Sequence, residues 1–173
     1  IEKIFRINET DTISELHEIA NKNFPQLLLK VLNQIEKKTL KPKVQDMETS
    51  SYYPLRFPED GLIFFDQLTA EEIHNRVRAL SSPYPGVLTY YNNKKVKILK
   101  SSLPKRPFFG EAGRIYRISK KMGILVCAKD KCLWLGEVVD NETGENCIDV
   151  FSRYDKLATI KEAAEKFYAN SKI

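Results

Sequence analysis

The residues with the clearest chemical potential are basic side chains interleaved with aromatic ones. Between positions 94 and 131, twelve Lys or Arg residues stand against two acids, Glu111 and Asp130, so this segment carries +10 in a chain of +5. Cationic side chains bind phosphate oxygens and aromatic rings stack on bases, which favours a phosphate-bearing partner. A solvated strand face remains the alternative, because lysines alternate with apolar residues from Lys95 to Ile98. The candidate phosphate-binding residues are Lys94, Lys95, Lys97, Lys105, Arg106, Arg114 and Arg117.

A second candidate is the stretch YYPLRFPEDGLIFFD at residues 52–66. Tyr52 and Tyr53 could stack on a base, and Arg56 could pair with a diphosphate. The two prolines and the Asp-Gly pair at position 60 are typical of a turn, which also explains the adjacent carboxylates there. We therefore expect ligand contact from the two tyrosines and the arginine only.

Metal-dependent and nucleophilic chemistry have little support in this sequence. A zinc site needs three or four ligands at matched spacing, and the histidines, His17 and His74, lie in separate predicted helices. Cys127 and Cys132 are predicted to be buried strand thiols, because three cysteines favour a reducing, cytoplasmic compartment over a disulfide framework. We expect no metal ion, no catalytic residue and no membrane contact, since no apolar run approaches the roughly 18–20 residues that span a bilayer.

The elements that must position these residues begin with helices. Alternation predicts a short strand over residues 1–8. A capping box at Thr12 starts a helix that Pro25 should break or kink before a second helix follows. A second capping box at Thr69 starts another helix, which ends before the prolines at 83 and 85.

The remainder of the chain reads as β structure. Asn92-Asn93 is typical of a tight hairpin turn between two strands, and three further short strands follow, with Trp134 expected in the core. Short strands at this spacing predict a small closed barrel of five or six strands, and KEAAEKFYANSK at the end predicts a short helix. The fold class is therefore α+β.

At residues 53–86, four consecutive blocks resemble a known family. They are Tyr-x-x-Arg, Pro-x-Asp-Gly-x-Ile, Ile-x-Asn-x-Val-Arg-Ala-Leu and Pro-Tyr-Pro-Gly, followed by a Lys-rich strand. Their order and spacing resemble the start of the C-terminal domain of formyltransferases that use 10-formyltetrahydrofolate. The resemblance implies the closing helices of a Rossmann-like catalytic domain at 1–45, a crossover at 46–68, and an oligonucleotide-fold-like barrel at 69–173.

The resemblance also implies which residues carry the reaction, and they are not in this sequence. The family uses an Asn, a His in a His-x-Ser-x-Leu-Pro motif and an Asp, all in its catalytic domain. Here Glu18 follows His17 and Asn75 follows His74, so neither histidine fits the motif. The folate pocket would precede Ile1, and we expect the chain alone to be inactive without that domain as its partner.

The acceptor of the formyl group stays open between two classes. The blocks at 53–86 are closest to enzymes that formylate a nucleotide-linked amino sugar, which is the first interpretation. The basic segment fits methionyl-tRNA, which is the second. A stand-alone RNA-binding barrel is a third, although the apolar stripe of the first helices argues against an independent unit, and a homodimer is left open.

Overall fold

The computed structural model describes the backbone of residues 1–170 and the side chains of residues 1–165. The chain divides into two compact units, Ile1–Arg56 and Phe57–Ile173. This division falls inside the segment 46–68 that the sequence assigns to a crossover. No helix in the described part of the chain is long and apolar enough to cross a membrane.

The first unit is built on one long helix, α1, at Ile13–Glu36. Its start is fixed locally, because the Thr12 backbone amide donates to the Glu15 carboxylate at 2.7 Å. The expectation of two helices is wrong: α1 runs through Pro25 without interruption. Proline removes a single N–H from the helix ladder, and good helix formers on both sides maintain the rest.

The N-terminal residues and one side of α1 expose apolar surface. Residues 1–8 have no regular secondary structure, so the predicted strand there is wrong. Phe24, Leu28 and Leu32 of α1 are 65%, 57% and 50% exposed. A unit of this size cannot enclose such a stripe, as the sequence led us to expect.

The second unit contains a five-stranded antiparallel sheet and two helices. After a 3-10 turn at Pro58–Gly61 come α2 at Ala70–Ala79, β1 at Val87–Tyr91 and β2 at Lys94–Ser102. Then follow β3 at Ile115–Ser119, β4 at Gly123–Cys127, β5 at Cys132–Asp140, a second 3-10 turn at Ile148–Val150, and α3 at Ile160–Asn170. The α+β class and the five strands predicted for this unit are confirmed, and the last two residues of the predicted terminal helix lie outside the described residues.

The sheet has the order β1-β2-β5-β4-β3, which makes β1 and β3 its edges. Asn92 and Asn93 adopt positive φ values of 46° and 67°, as the two-residue hairpin between β1 and β2 requires. The segment 155–158 hydrogen bonds to both edges: the Leu157 amide donates to the Gly113 carbonyl beside β3, and the Ala158 amide donates to the Tyr90 carbonyl in β1, both at 2.9 Å. One irregular segment thus joins the two edges of the sheet.

The core lies on one face of the sheet beneath α2. Ile73 and Val77 of α2 pack with the inward residues of all five strands, including the fully buried Ile98, Ile124 and Leu135. The N-terminus of α2 is held by one local and one long-range hydrogen bond. The Thr69 amide donates to the Glu72 carboxylate at 2.8 Å, and the Ala70 amide donates to Asp130, sixty residues away, also at 2.8 Å.

Candidate functional site

The opposite, outer face of the sheet carries a second cluster of aromatic and basic side chains. The strand register places Arg117 opposite Leu125, and Leu125 opposite Trp134, so these three form one row across β3, β4 and β5. Trp134 is half-buried there and packs on the buried residues Leu125 and Cys127. The expectation that Trp134 lies in the core is met only in this smaller cluster, because its place in the alternation of β5 points it to the outer face and away from the core beneath α2.

The strap between β2 and β3, residues 103–114, crosses this outer face. The Phe108 carbonyl accepts a hydrogen bond from the Cys132 amide at 2.7 Å, and the Phe108 ring lies 4.5 Å from the Arg117 guanidinium. Gly110 lies against the Tyr116 ring so closely that an added Cβ would be 2.4 Å from it. The strap therefore packs on the outer face through one backbone hydrogen bond and through ring contacts.

The row of rings continues beyond the strap. Tyr116 meets Tyr154 edge-to-face with ring centroids 6.3 Å apart, and the Arg153 guanidinium lies 4.7 Å from the Tyr154 ring. The sequence gives no signal for Arg153 and Tyr154, because they lie in an irregular segment far from the basic residues along the chain. Only the closure of residues 155–158 on β3 brings them to this face.

The structure brings together some predicted basic residues and separates others. Lys105 and Arg106 are exposed on the strap, between two prolines. Arg117 is exposed at the edge of the sheet and stacked on Phe108. Lys94 and Lys95 are exposed at the β1–β2 hairpin, with the Lys95 ammonium 5.9 Å from the Tyr90 ring.

Arg114 is already engaged by protein groups. Its guanidinium donates to the Glu111 carboxylate at 2.8 and 3.0 Å, and its third nitrogen donates to the Tyr154 carbonyl at 2.8 Å. Lys97 is half-buried, with its side chain against Gly86. Both positions therefore have a structural role beside the predicted phosphate contact.

Glu111 pairs with two cations at the foot of the strap. The Lys156 ammonium donates to one carboxylate oxygen at 2.8 Å, and Arg114 donates to the other. Hydrogen bonds from Lys156 and then from Arg114 lower the pKa of Glu111 to about 2. The same partner raises the pKa of Lys156, so both groups are charged near neutral pH.

Tyr52, Tyr53 and Arg56 lie in a segment without regular secondary structure at the end of the first unit. The two tyrosines are 81% and 79% exposed, and Arg56 is exposed as well. Their rings and guanidinium are accessible, and their role in ligand contact stays a prediction.

A cavity of about 640 Å³ opens beside the β1–β2 hairpin and α3. Its wall includes Phe64, Tyr90, Lys156 and Glu162, and the lysine is paired with Glu162 at 3.0 Å. We derive no reaction step from this cavity.

The histidines and cysteines have structural partners. The His74 ring nitrogen Nδ1 lies 2.9 Å from the Ser101 hydroxyl, between α2 and β2. Cys127 and Cys132 are directly opposite each other in the β4–β5 hairpin, and both are buried, as expected, with their sulfur atoms in contact. Among the residues that the structure describes, no group of three or more His, Cys, Asp or Glu side chains could hold a metal ion.

The amino-acid sequence of this chain is similar to those of several known proteins. The chain is 34% identical over 129 residues to the methionyl-tRNA formyltransferase of a Sulfurihydrogenibium species, and 30% identical over 126 residues to that of Natranaerobius thermophilus. These matches cover 75% and 71% of this chain but only 41% and 40% of the relatives. The bifunctional polymyxin resistance protein ArnA of Wigglesworthia glossinidia brevipalpis is 36% identical over 106 residues, covering 57% of this chain and 15% of ArnA.

Solved structures agree at the level of the fold. HypX from Aquifex aeolicus, in complex with tetrahydrofolic acid, matches with a TM-score of 0.58 at 15% identity, covering 79% of this chain and 23% of HypX. A HypX variant matches equally well, with a TM-score of 0.58 at 17% identity and coverage of 79% and 24%. At such identities the likeness concerns the fold alone.

The decisive comparison is at the level of the domain. Residues 57–147 match the family described as "Formyl transferase, C-terminal domain". This range begins at the first residue of the second unit and includes α2 and the whole five-stranded sheet. The chain belongs to the formyltransferase family, of which it represents the C-terminal portion.

Proposed function

We propose that this chain is the substrate-holding part of an enzyme that transfers a formyl group from 10-formyltetrahydrofolate to the amino group of methionyl-tRNA. The observation that carries the proposal is the outer-face group of exposed cations and aromatic rings, in a chain whose curated relatives include methionyl-tRNA formyltransferases. Cations that track phosphates supply most of the affinity of a protein for RNA. The proposal reverses the order of the sequence interpretations, which placed the amino sugar first.

In this proposal the exposed basic residues contact tRNA phosphates. Lys105 and Arg106 on the strap, Arg117 at the β3 edge, and Lys94 and Lys95 at the hairpin are all exposed. Lys97 and Arg114 would contribute less, since one is half-buried and the other donates to Glu111 and Tyr154. The segment 155–158, which joins both edges of the sheet, supports an oligonucleotide-fold-like barrel as the scaffold.

The chemistry itself would be carried out by a catalytic domain. There an Asn would stabilise the oxyanion formed when the amine attacks the formyl carbon, and a His and an Asp would manage the protons. This chain would bind and orient the acceptor, which lowers the entropic part of the barrier. The exposed apolar stripe of α1, with Leu28 and Leu32, supports a role for residues 1–45 as closing helices of that Rossmann-like domain.

A nucleotide-linked amino sugar is the second candidate acceptor. It is favoured by the 36% identity to ArnA and by the accessible Tyr52, Tyr53 and Arg56. In that case the two rings would stack on the base and the arginine would pair with the diphosphate.

The test is a formylation assay on the natural gene product that contains this chain. Purified protein is incubated with 10-formyltetrahydrofolate and either methionyl-tRNA or an amino-sugar nucleotide, and formylated product is quantified by mass spectrometry. We expect formyl-methionyl-tRNA as the product. Formylation of the sugar nucleotide with methionyl-tRNA left unchanged would overturn the proposal in favour of the second candidate.

The 173-residue chain serves as the matched sample without added domains. We expect it to bind methionyl-tRNA and to form no formylated product with either acceptor. Transfer activity in this sample would contradict the assignment of catalysis to a separate domain.

A further inference from the structure

Two aromatic side chains on the outer face of the sheet are largely exposed to solvent. Phe109 on the strap is 72% exposed and Tyr154 is 54% exposed. Both belong to the second unit and lie beside rings that are fixed by packing, Phe108 and Tyr116. We name Phe108, Phe109, Tyr116, Trp134 and Tyr154 the outer strip.

Phe108 and Tyr116 of the outer strip are held by hydrogen bonds and packing, whereas Phe109 is exposed to solvent. Phe108 is held by its carbonyl, which accepts from the Cys132 amide at 2.7 Å. The Tyr116 hydroxyl accepts from the Glu111 amide at 2.9 Å, and Gly110 lies directly on the Tyr116 ring. These contacts fix Phe109 between two anchored neighbours while its own ring stays in solvent.

Positive charge surrounds the strip. Arg117 stacks on Phe108 at 4.5 Å and Arg153 on Tyr154 at 4.7 Å, and Lys105 and Arg106 are exposed on the same strap. The acid at its foot, Glu111, is neutralised by Arg114 and Lys156. An apolar protein partner would have to desolvate these cations, whereas a nucleic acid would pair them with phosphates.

We propose that the outer strip binds unpaired nucleotides of RNA by stacking bases on Phe109 and Tyr154, with Lys105, Arg106, Arg117 and Arg153 meeting the adjacent phosphates. The inference rests on the proposed function for its choice of RNA and adds the mode of recognition. Exposed rings contact the faces of splayed bases, which a double helix keeps stacked inside it. The strip therefore prefers single-stranded segments over duplex.

Trp134 provides a local readout, because it is the only tryptophan of the chain and packs in the strip. The 173-residue chain is titrated with a twelve-nucleotide oligouridylate and, separately, with a twelve-base-pair RNA duplex, while Trp134 fluorescence is followed. We expect the single strand to quench the fluorescence and to bind at least tenfold more tightly than the duplex. Equal affinity for the two RNAs, or binding without a change in Trp134 fluorescence, would overturn the proposal.

A pair of phenylalanine variants separates stacking from charge. Phe109→Ala should weaken oligouridylate binding about tenfold, in the range that loss of one base–ring stack produces, with its salt dependence unchanged. The control is Phe57→Ala, which removes a ring of similar exposure, 65%, from the start of the second unit. Phe57→Ala should leave the affinity for oligouridylate unchanged. An equal loss of affinity in both variants would contradict specific binding of RNA by the outer strip.

The outcomes distinguish this inference from the proposed function. If Phe109→Ala leaves oligouridylate binding unchanged while the natural gene product formylates methionyl-tRNA, RNA binding by the outer strip is contradicted and the proposed function is supported. If oligouridylate binds through Phe109 while methionyl-tRNA is not formylated, the strip stands and the proposed acceptor fails.

Discussion

Glu111 shows how one residue decides what its neighbours can do. Its two carboxylate oxygens accept from Arg114, the last residue before β3, and from Lys156 in the segment that joins the sheet edges. Lys156 in turn pairs with Glu162 of α3 at 3.0 Å. Arg114 is thereby engaged by a protein carboxylate, and three separate parts of the second unit are linked through Glu111.

We expect Glu111→Gln to make stability less dependent on acid pH. The pKa of Glu111 is lowered from an ordinary 4.5 to about 2, so its contribution is fully present above pH 4.5 and is lost as the pH falls toward 2. The carboxylate is half-exposed, which limits that contribution to under about 1 kcal/mol. Urea unfolding at pH 6 should show the variant less stable, with the difference disappearing toward pH 2.

Glu142→Gln is the control for this prediction, because Glu142 is exposed in the turn after β5. It should leave the pH dependence of the unfolding free energy unchanged. A difference between wild type and Glu111→Gln that persists at pH 2 would rule out the carboxylate as its source.

At the scale of the element, the β3–β4 turn depends on Gly123. Its φ is +80°, and an added Cβ would lie 1.9 Å from the Leu135 carbonyl oxygen of β5. The turn therefore needs both a left-handed backbone and the absence of a side chain. β4 in turn carries the buried residues Leu125 and Cys127 beneath the outer strip.

Gly123→Ala should destabilise the fold by about 2 kcal/mol or more, because it adds a backbone collision to the left-handed strain. Gly144→Ala is the matched control: its φ is +74°, yet nothing lies within 4 Å of an added Cβ. We expect the control to lose only about 1 kcal/mol, from strain alone. Equal losses in urea unfolding would show that the contact with Leu135 costs nothing.

At the scale of the whole molecule, the location of charge matters more than its total. The net charge is +5, but the segment 94–131 carries +10. Within that segment Lys105 and Arg106 are exposed on the strap, whereas Arg114 pairs with Glu111 and the exposed Lys100 pairs with Glu137 at 2.6 Å. In the proposed function, the first group would account for most of the counterion release on RNA binding.

The double variant Lys105→Gln, Arg106→Gln should weaken methionyl-tRNA binding and reduce its salt dependence. Each lost phosphate contact lowers the slope of log K against log salt concentration by about 0.7 to 0.9, so two contacts should lower it by about 1.5. The double variant Lys41→Gln, Lys43→Gln is the control, since both lysines are exposed in the first unit and are not among the candidate phosphate-binding residues, and its slope should match wild type. Equal slopes for all three proteins would exclude the strap as a phosphate contact.

The sequence by itself determined the local features of this protein. The capping box at Thr69 and the left-handed Asn92-Asn93 turn depend on residues a few positions apart, so they can be predicted from spacing alone. The same holds for the strand alternation and for the family blocks at residues 53–86. The continuity of α1 through Pro25 was missed, because a single proline removes less than the flanking helical residues supply.

Only the tertiary structure decided which of the candidate residues share a surface. The extra residue in β3 at Tyr116 and the register of β4 against β5 place Trp134 outside the main core and Cys127 opposite Cys132. Closure of the segment 155–158 brings Tyr154 to Tyr116. The contact of Tyr154 with Tyr116 joins residues far apart in the chain through loop closure. The positions of Trp134 and Cys132 follow from the hydrogen-bond register of neighbouring strands, which residue types alone do not specify.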